Sequence, residues 1–448
     1  MSGTEGKTPV AVPLDQPAGK RAGDAGRERP NAEPPIWTKR MLATLEQGVT
    51  GGKWYSLIDK LYPIATLAAA FAAVKANQGA AGVDHVSIED YAAKLETNLA
   101  RLSESLRTGT YRPQAIRRHY IPKPGSQEKR PLGIPAVQDR VVQTALRMLL
   151  EPIFERDFAA QSYGFRPNRG CKDALRRVDE LLKAGYVHVV DADLKSYFDT
   201  IPKDRLLALV AGKVSDRRVL ALVEAFLGQR VLEDGQEWTP EQGTPQGAVI
   251  SPLLSNIYLD PLDHLMARSG FEMVRYADDF VVLCRTPEEA AEALAVVRDW
   301  TAQAGLTLHP VKTRLVDART DGFDFLGYHF EAGKRWPRAK SLGKIRDIIR
   351  AKTQRTTGRS LAMVIGSLNP ALRGWFGYFQ HSRPATFRIM DGWVRRRLRS
   401  LLRKQQKRRG IADVRGADQI RWPNRFFAEH GLFSLQRAYE TVRQSPCG

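Results

Sequence analysis

The spacing of apolar residues predicts a chain in which helices alternate with short strands. Leucines recur at three- and four-residue intervals over Ser87–Thr108, which is the periodicity of a helix with one buried face. Helices are also predicted over Val137–Leu150 and Glu288–Ala304. Apolar runs of strand length are predicted to form strands over these segments: Val187–Asp193, Glu272–Tyr276, Phe280–Cys284 and a final short strand near Phe325–Tyr328. This order of elements predicts an α+β domain built on an antiparallel sheet.

The two ends of the chain differ from this middle part. Residues 1–35 are rich in Pro, Gly, Ala and charge and contain no aromatic residue, so we expect them to be disordered. Helical spacing returns over 341–380 and again over Gly392–Arg409, where Gly410 is a candidate helix end. The apolar face of this last predicted helix consists of Val394, Leu398, Leu401 and Leu402.

Positive charge is concentrated in the last quarter of the chain. The 448 residues carry a net charge of +20, but residues 1–330 contain 42 basic and 42 acidic side chains. Residues 331–448 contain 27 basic and 7 acidic side chains, interleaved with Trp, Phe and Tyr. A solvated basic tail is one interpretation, but its aromatic content favours a folded domain that binds the phosphate backbone of a nucleic acid.

Cysteine content and hydropathy exclude several classes of protein. Three cysteines without a Cys-x-x-Cys spacing cannot form a disulfide framework or a zinc ribbon, which indicates a reducing compartment. The longest apolar run, Leu67–Val74, is too short to span a bilayer, and no secretory signal pattern begins the chain. We therefore expect a cytoplasmic protein with no membrane partner.

Acidic residues occur at the ends of two predicted strands. Asp193 ends the strand Val187–Asp193, and Asp278-Asp279 lie in the predicted hairpin turn. Phosphoryl transfer is assisted by two hard cations held about 4 Å apart by carboxylates, and such a grouping could supply them. An Asp-Asp pair in a turn also has an ordinary explanation, because Asp favours turns through its own backbone hydrogen bonds.

The sequence Tyr276-Ala277-Asp278-Asp279 between apolar strands resembles the catalytic signature of reverse transcriptases. Further blocks are similar, in the same order, to group II intron-encoded members of this family: Lys129–Pro135, Asp139–Gln143, Ser162–Pro167, Gly243–Asn256, Lys312–Arg314, Phe325–Tyr328 and Leu372–Phe379. The resemblance covers about residues 55–440. It implies a right-hand polymerase, with fingers and palm on an antiparallel sheet, followed by an α-helical thumb or maturase domain. Family members often end in a Cys-bearing nuclease domain, which this sequence lacks, so we do not expect it to cleave a second DNA strand.

The resemblance also implies roles for individual residues. Asp193, Asp278 and Asp279 are expected to be catalytic and to hold two Mg²⁺ ions. The residues expected to contact the deoxynucleoside triphosphate (dNTP) are Lys123, Arg130, Phe198, Gln246, Gly247 and Lys312. Among them, Phe198 would exclude a ribose 2′-hydroxyl, although a plain core aromatic is the alternative, and Lys312 would neutralise the pyrophosphate leaving group.

The predicted domains are a disordered extension (1–35), fingers and palm (36–335), a thumb or maturase domain (336–390) and a basic helical tail (391–448). Cationic side chains of the tail are predicted to bind nucleic acid: Arg395, Arg396, Arg397, Arg399, Arg403, Lys404, Lys407, Arg408 and Arg409. A helix lying on a membrane surface would have a similar pattern, but an RNA or heteroduplex backbone suits a polymerase better. The expected partners are the structured intron RNA, an RNA template with a DNA primer, target DNA and dNTPs.

The sequence favours an RNA-directed DNA polymerase that also assists intron splicing and retromobility. One alternative is a related bacterial reverse transcriptase that acts in defence or DNA repair without an intron. Another is a maturase that only binds RNA for splicing, which the three carboxylates argue against. An RNA-templated RNA polymerase is disfavoured by Phe198.

Overall fold

The structure is a computed structural model that describes residues 36–48, 52–122, 129–406 and 417–444. The extension predicted to be disordered, residues 1–35, lies outside these ranges. The helices of the first half are α1 (Lys39–Gln47), α2 (Ile58–Leu61), α3 (Ile64–Asn77), α4 (Ile88–Ala93), α5 (Leu95–Thr108), α6 (Val137–Glu155), α7 (Cys171–Lys183), α8 (Tyr197–Thr200), α9 (Lys203–Lys213) and α10 (Arg217–Leu227). Those of the second half are α11 (Ser251–Arg268), α12 (Pro287–Gln303), α13 (Ala339–Lys352), α14 (Leu361–Phe379), α15 (Pro384–Gln405), α16 (Ala417–Arg421), α17 (Asn424–Glu429) and α18 (Leu435–Gln444). None of the described helices is long and apolar enough to cross a bilayer.

Strands in the described ranges form three sheets. They are β1 (Ile116–Pro122), β2 (Lys129–Ile134), β3 (His188–Asp193), β4 (Val231–Glu233), β5 (Gln236–Trp238), β6 (Glu272–Tyr276), β7 (Asp279–Cys284), β8 (Arg314–Asp317), β9 (Phe323–Phe325), β10 (Tyr328–Glu331) and β11 (Lys334–Pro337). The strand orders are β2-β1-β4-β5, β6-β7-β3-β8 and β11-β10-β9. The β1–β2, β4–β5, β3–β8, β9–β10 and β10–β11 pairs are antiparallel, and the β1–β4 pair is parallel. The chain is thus an α+β protein.

Several predicted elements are confirmed and two are corrected. The hairpin of β6 and β7, the strand β3 and helices α6 and α12 lie where the apolar pattern predicts them. The helix predicted over 87–108 is two helices, because Lys94 leaves the helical conformation and the Asn98 side chain caps the Tyr91 carbonyl oxygen at 3.0 Å. The strand predicted near Phe325–Tyr328 is instead a turn between β9 and β10. Leu326 and Gly327 form this turn with positive φ angles of 46° and 83°.

The chain divides into two compact units. The first consists of Met1–Arg177, Ala192–Val282 and Ala291–Thr313, and the second of Val178–Asp191, Leu283–Ala290 and Arg314–Gly448. This division corrects the predicted boundary between 335 and 336, which falls inside β11. The physical reason is that Tyr328 and Tyr378 bind across it: the Tyr328 hydroxyl donates to the Tyr378 carbonyl, and the Tyr378 hydroxyl donates to the Leu326 carbonyl, both at 2.7 Å.

The second predicted boundary, between 390 and 391, is also wrong because it falls inside α15. One hydrophobic core includes residues on both sides of it, from Ile345 in α13 to Leu435 in α18. The buried Asp391 side chain accepts hydrogen bonds from the backbone N–H groups of Leu435 and Gln436, at 3.0 and 3.2 Å, and so caps α18. The residues predicted to form a separate tail therefore belong to the same folded unit as α13 and α14.

Candidate functional site

The Asp-Asp turn is held in one defined backbone conformation. Ala277 adopts a left-handed conformation with φ of 59°, which turns the chain from β6 into β7. Asp278 lies partly buried in this turn, and the exposed Asp279 is the first residue of β7. The buried strand residues on both sides, such as Val274 and Phe280, fix the turn at the end of the hairpin.

Asp193 is presented at the end of β3, in the same sheet as the hairpin. Its carbonyl oxygen accepts the backbone N–H of His309 at 2.7 Å, which holds the strand end in place. Its carboxylate accepts a hydrogen bond from Lys312 Nζ at 2.7 Å, and 42% of the Asp193 side chain is exposed. The predicted leaving-group lysine thus forms an ion pair with a predicted metal ligand.

The electrostatics of the turn bring Asp278 and Asp193 into one site. Burial raises the pKa of Asp278 above its usual value, and the negative charge of Asp193 raises it further. The cationic side chains of Arg130 and Arg275 act on the same pKa in the opposite sense. The protein therefore concentrates negative charge at the end of the hairpin, where a cation would relieve the repulsion.

This donor set fits divalent magnesium. Carboxylate oxygens are the ligands that Mg²⁺ prefers, and the negative charge of Asp193 acts on the pKa of Asp278. Over the described ranges, no three Asp, Glu, His or Cys side chains form a complete metal cluster by themselves. A magnesium ion bound here would draw on waters and substrate oxygens as well, as Mg²⁺ sites at phosphates usually do.

A buried ion pair stabilises the Asp-Asp turn. Arg275 and Asp263 are both fully buried, and Arg275 Nε donates to Asp263 Oδ1 at 2.7 Å. Arg275 Nη1 donates to the Ala277 carbonyl oxygen at 2.9 Å and to Asn256 Oδ1 at 3.0 Å. The guanidinium group therefore joins α11 directly to the backbone of the Asp-Asp turn.

Gly164 packs against the same turn. A Cβ atom at this position would lie 2.3 Å from the backbone nitrogen of Ala277, a distance that no side chain can adopt. Asn256 Nδ2 donates to the Gly164 carbonyl oxygen at 2.8 Å, so one Asn side chain ties Gly164 and Arg275 together. Only glycine permits this approach of two backbones.

The sequence analysis did not identify these supporting residues. Arg275 follows the apolar residues Met273 and Val274 in β6, and Asp263 follows Leu262 in α11. A charged residue in a buried segment was the available signal, since such residues are rarely buried without a partner. Their pairing, however, depends on the packing of β6 on α11.

Part of the predicted dNTP site is held together by backbone contacts. The Thr244 N–H donates to the Phe198 carbonyl oxygen at 2.7 Å, and the Gly133 N–H donates to the Gln246 carbonyl oxygen at 2.6 Å. The Gln246 side chain also donates to Asp199 at 3.3 Å. The half-buried Phe198 and Gln246 are thus fixed relative to β2, whose residue Arg130 is exposed.

Two further residues of the predicted dNTP site are Gly247 and Lys123. Gly247 has φ of 103°, and a Cβ there would lie 2.4 Å from the Gly133 carbonyl oxygen. This close approach to the β2 backbone is one that only glycine permits, and the predicted contact of Gly247 with a dNTP stays a prediction. Lys123 lies outside the described residues.

The cationic residues of α15 that are predicted to bind nucleic acid differ in their exposure. Arg399 is 6% exposed, and its guanidinium donates to the Trp422 carbonyl oxygen and to Asn424 Oδ1, both at 2.9 Å. The prediction of a direct nucleic-acid contact is therefore corrected for Arg399, because its donors are used inside the protein. Arg396 is exposed, as is Lys404.

The other cations of this set have internal partners or lie elsewhere. Arg395 lies 3.8 Å from Asp391, Arg397 Nε donates to Thr353 at 3.0 Å, and Arg403 pairs with Asp418. The remaining three residues of the prediction lie outside the described ranges: Lys407, Arg408 and Arg409. Within the described part of α15, Arg396 and Lys404 are left as the exposed cations of the predicted set.

Two family models match the chain. Residues 121–330 match the model "Reverse transcriptase (RNA-dependent DNA polymerase)", and residues 342–417 match "Group II intron, maturase-specific domain". Protein YkfC of Escherichia coli (strain K12) is 35% identical over 286 residues, which is 55% of this chain and 74% of that protein. Group II intron-encoded protein LtrA of Lactococcus lactis subsp. cremoris is 38% identical over 193 residues, which is 43% of this chain and 31% of LtrA.

Solved structures with a similar fold are more distant. A telomerase from Candida albicans is 11% identical, with a TM-score of 0.41 over 76% of this chain and 68% of that chain. A partial Cas6-RT-Cas1–Cas2 complex is 22% identical, with a TM-score of 0.36 over 55% of this chain and 41% of that chain. These TM-scores are too low to carry an argument about function.

Proposed function

Because the chain belongs to the family of group II intron-encoded reverse transcriptases and maturases, we propose that it copies RNA into DNA at the site formed by Asp193, Asp278 and Asp279. The observation that carries this proposal is the placement of the carboxylates: in neighbouring strands of one sheet, Asp193 ends β3, and Asp278 and Asp279 lie where β7 begins. Such a placement would concentrate carboxylates where a primer hydroxyl and a dNTP meet.

In this reaction the 3′-hydroxyl of the primer attacks the α-phosphate of the dNTP in line, and pyrophosphate leaves. Two bound Mg²⁺ ions would stabilise the charge on the attacking and leaving oxygens. Asp193, Asp278 and Asp279 would hold these ions, while the turn supported by Arg275 keeps the carboxylates in register. Positioning of this kind provides most of the catalysis in phosphoryl transfer.

The remaining predicted residues orient the nucleotide. Arg130 would bind the triphosphate, and its charge already acts on Asp278. Gln246 would hydrogen-bond beside the new base pair, and Lys312 would neutralise the pyrophosphate leaving group. Lys123, which the resemblance places at the triphosphate, completes the proposed set.

Primer extension on an RNA template with dNTPs and Mg²⁺ tests the polymerase. We expect extension by the wild type and by Asp299→Ala, a matched control in the exposed face of α12, and none by Asp278→Ala. Because each tenfold loss of rate corresponds to about 1.4 kcal/mol, loss of a metal ligand should be evident well beyond tenfold. Extension by Asp278→Ala at the wild-type rate would contradict the assignment of the site.

A second experiment tests the discrimination between deoxyribonucleotides and ribonucleotides. Phe198 is half-buried, with its ring 5.4 Å from that of Tyr197. We propose that the exposed part of the ring excludes the 2′-hydroxyl. Phe198→Ala should raise ribonucleotide incorporation relative to the wild type, and unchanged discrimination would favour the plain core aromatic.

We also propose that the second unit binds the structured intron RNA and assists its splicing and retromobility, with target DNA as a further partner. The support is the match of residues 342–417 to the maturase-specific domain and the exposed cations Arg396 and Lys404. Such binding would act on RNA shape through backbone contacts. The action would take place in the bacterial cytoplasm, at the nucleoid when DNA is bound.

Splicing can be tested separately from polymerisation. Asp278→Ala protein should accelerate splicing of its cognate intron RNA as well as the wild type does, because the variant changes only the polymerase site. If neither protein affects splicing while the wild type extends primers, the related reverse transcriptase acting in defence or repair is the better description. A protein that splices but never extends a primer would be the splicing-only maturase.

A further inference from the structure

Asp199, which is not one of the proposed metal ligands, lies at the edge of the proposed dNTP site. It directly follows Phe198 in α8, and its Oδ2 accepts a hydrogen bond from Gln246 Nε2 at 3.3 Å. Phe198 and Gln246 are two of the residues proposed above to contact the dNTP. Asp199 therefore links the helix that carries one of them to the side chain of the other.

The main chain that leads to Gln246 packs directly on α8. Gly243 has φ of 89°, and a Cβ there would lie 2.7 Å from the Phe198 carbonyl oxygen and 2.8 Å from the Asp199 Cα. The Gly243 N–H also donates to the Ile201 carbonyl oxygen at 2.8 Å. These backbone contacts, which do not depend on the hydrogen bond between the two side chains, bring Asp199 and Gln246 together.

The other side of this segment is fixed to β2. The Gln246 carbonyl oxygen accepts the Gly133 N–H at 2.6 Å, and Gly247 lies against the Gly133 backbone, as described above. The main chain of Gln246 is thus held on both sides, while its side chain has several rotatable bonds. The hydrogen bond to Asp199 therefore restricts the remaining freedom of this side chain.

A cation of the neighbouring sheet acts on Asp199. Burial raises the pKa of Asp199 above its usual value, and the positive charge of Arg118 on β1 lowers it. The Arg118 guanidinium is itself held, because its Cζ lies 5.0 Å from the centre of the Trp238 ring and its Nη1 lies 3.5 Å from Glu233. The Asp199 carboxylate is thus partly withdrawn from water beside a fixed cation, where a hydrogen bond is stronger than in free solution.

The chemistry of the two side chains determines the orientation of the amide. An ionised carboxylate can only accept hydrogen bonds, so the Gln246 amide must turn its NH₂ group toward Asp199. An amide with its two ends exchanged would bring acceptor oxygens together without a proton between them. Asp199 therefore selects one of the two orientations of the Gln246 amide, with Oε1 on the side away from Asp199.

We propose that Asp199 is a positioning residue of the dNTP site, whose carboxylate holds the Gln246 amide in the orientation that binds the incoming nucleotide. This inference rests on the proposed polymerase function and on the proposed contact between Gln246 and the dNTP. An amide that is already fixed loses less conformational entropy when a ligand binds. Asp199 should therefore act on the affinity for the nucleotide and not on the chemical step.

Primer extension on an RNA template, measured over a series of dNTP concentrations, tests this role. Asp199→Ala should raise KM for dNTP about tenfold and leave kcat within about twofold of the wild type. Asp199→Asn should keep KM within about threefold of the wild type, because its Oδ1 still accepts the amide N–H. Asp204→Ala, at an exposed carboxylate in the first turn of α9, is the matched control and should behave as the wild type.

A double-mutant cycle tests whether Asp199 acts through Gln246. The double variant, Asp199→Ala with Gln246→Ala, should have the same KM for dNTP as Gln246→Ala alone, because both substitutions remove one contact. A double variant whose KM exceeds that of Gln246→Ala by the full effect of Asp199→Ala would overturn the positioning role.

Two readouts distinguish this role from a purely structural one. If Asp199 only stabilised α8, Asp199→Ala would lower the free energy of unfolding, or it would move the Phe198 ring and reduce the discrimination against ribonucleotides. We expect urea unfolding and ribonucleotide discrimination to match the wild type, because the backbone contacts of Gly243 with α8 remain. A change in either readout that accounts for the raised KM would overturn the proposal.

The remaining outcomes separate this inference from the proposed function. A wild-type KM for dNTP in Asp199→Ala would overturn the positioning role and leave the polymerase in place. So would a wild-type KM in Gln246→Ala, since Asp199 would then have no nucleotide contact to position. Wild-type protein that extends no primer would refute the polymerase itself.

Discussion

The buried pair of Asp263 and Arg275 allows a sharp test of how the catalytic turn is supported. Asp263→Asn keeps the shape of the side chain but removes its charge, so the Arg275 guanidinium remains buried without a counter-charge. The side chains of both residues are 0% exposed, so no water can compensate for the loss. The substituted residue is itself none of the three proposed metal ligands.

The expected cost follows from the burial. Removing one partner of a buried ion pair typically costs about 3–5 kcal/mol, because the remaining charge is not compensated. Replacing both partners with apolar residues of similar volume is often neutral or even stabilising. We therefore expect Asp263→Asn to lower the free energy of unfolding by about 3–5 kcal/mol. The double variant, Asp263→Leu with Arg275→Met, should have a free energy of unfolding within about 1 kcal/mol of the wild type.

The double variant should therefore be nearly as stable as the wild type but much less active. The double variant lacks the guanidinium donors to the Ala277 and Asn256 oxygens, so the turn loses its support and primer extension should remain low. Urea unfolding followed by fluorescence and circular dichroism measures stability, and coincidence of the two curves tests for a single transition. A cost below about 1 kcal/mol for Asp263→Asn, or full activity in the double variant, would refute this account of the turn.

Three further predictions concern other parts of the chain. Gly164→Ala should lower kcat for primer extension about 100-fold, because its Cβ would displace the catalytic turn. The control Gly212→Ala lies in open space on α9, so it should leave the free energy of unfolding unchanged or raise it by about 0.5–1 kcal/mol. Equal kcat values for the two variants would contradict this prediction. Arg399→Ala should lower the free energy of unfolding in urea by about 1–3 kcal/mol, because Arg399 is buried. Arg396→Ala should leave stability unchanged but weaken RNA binding and reduce its salt dependence, because Arg396 is exposed. The reverse pattern would refute the buried position of Arg399 and the exposed position of Arg396. Burial raises the pKa of Asp139 from 3.8 to about 7, so as pH rises the unfolded chain loses this proton before the folded chain does. The free energy of unfolding should therefore fall as pH rises from about 4 to about 7, and it should fall less in Asp139→Asn. A rise over this window would show that hydrogen bonds keep the carboxylate ionised in the folded protein.

The sequence predicts the catalytic hairpin well because local patterns determine it. Apolar residues on both sides of Asp278 and Asp279 require two buried strands, and the short polar interval leaves space only for a tight turn. The strand ending at Asp193 has a similar apolar pattern. Cys284, the last residue of β7, is 2% exposed. The strands of this hairpin and the turn position of its two aspartates can thus be predicted from local spacing.

Spacing does not predict which cations point outward. The predicted apolar face of α15 is confirmed, since Val394, Leu398, Leu401 and Leu402 are buried. Arg399 is buried as well, because Trp422 and Asn424, from segments that follow α15, accept its hydrogen bonds. Likewise, the partner of Arg275 lies on another element, so only the packed structure identifies it.

The contacts that build the site also determine when it can form during synthesis. Lys312 and Asp193 are 119 positions apart, and Asn256 and Gly164 are 92 apart. A nascent chain cannot make these contacts until the later residue of each pair has left the ribosome, and such long-range contacts form slowly. The carboxylates at Asp193 and Asp278 therefore come under full structural control only after Lys312 has emerged. A ribosome that has not yet translated the Lys312 codon therefore carries a chain in which the Asp193 carboxylate lacks this ion pair.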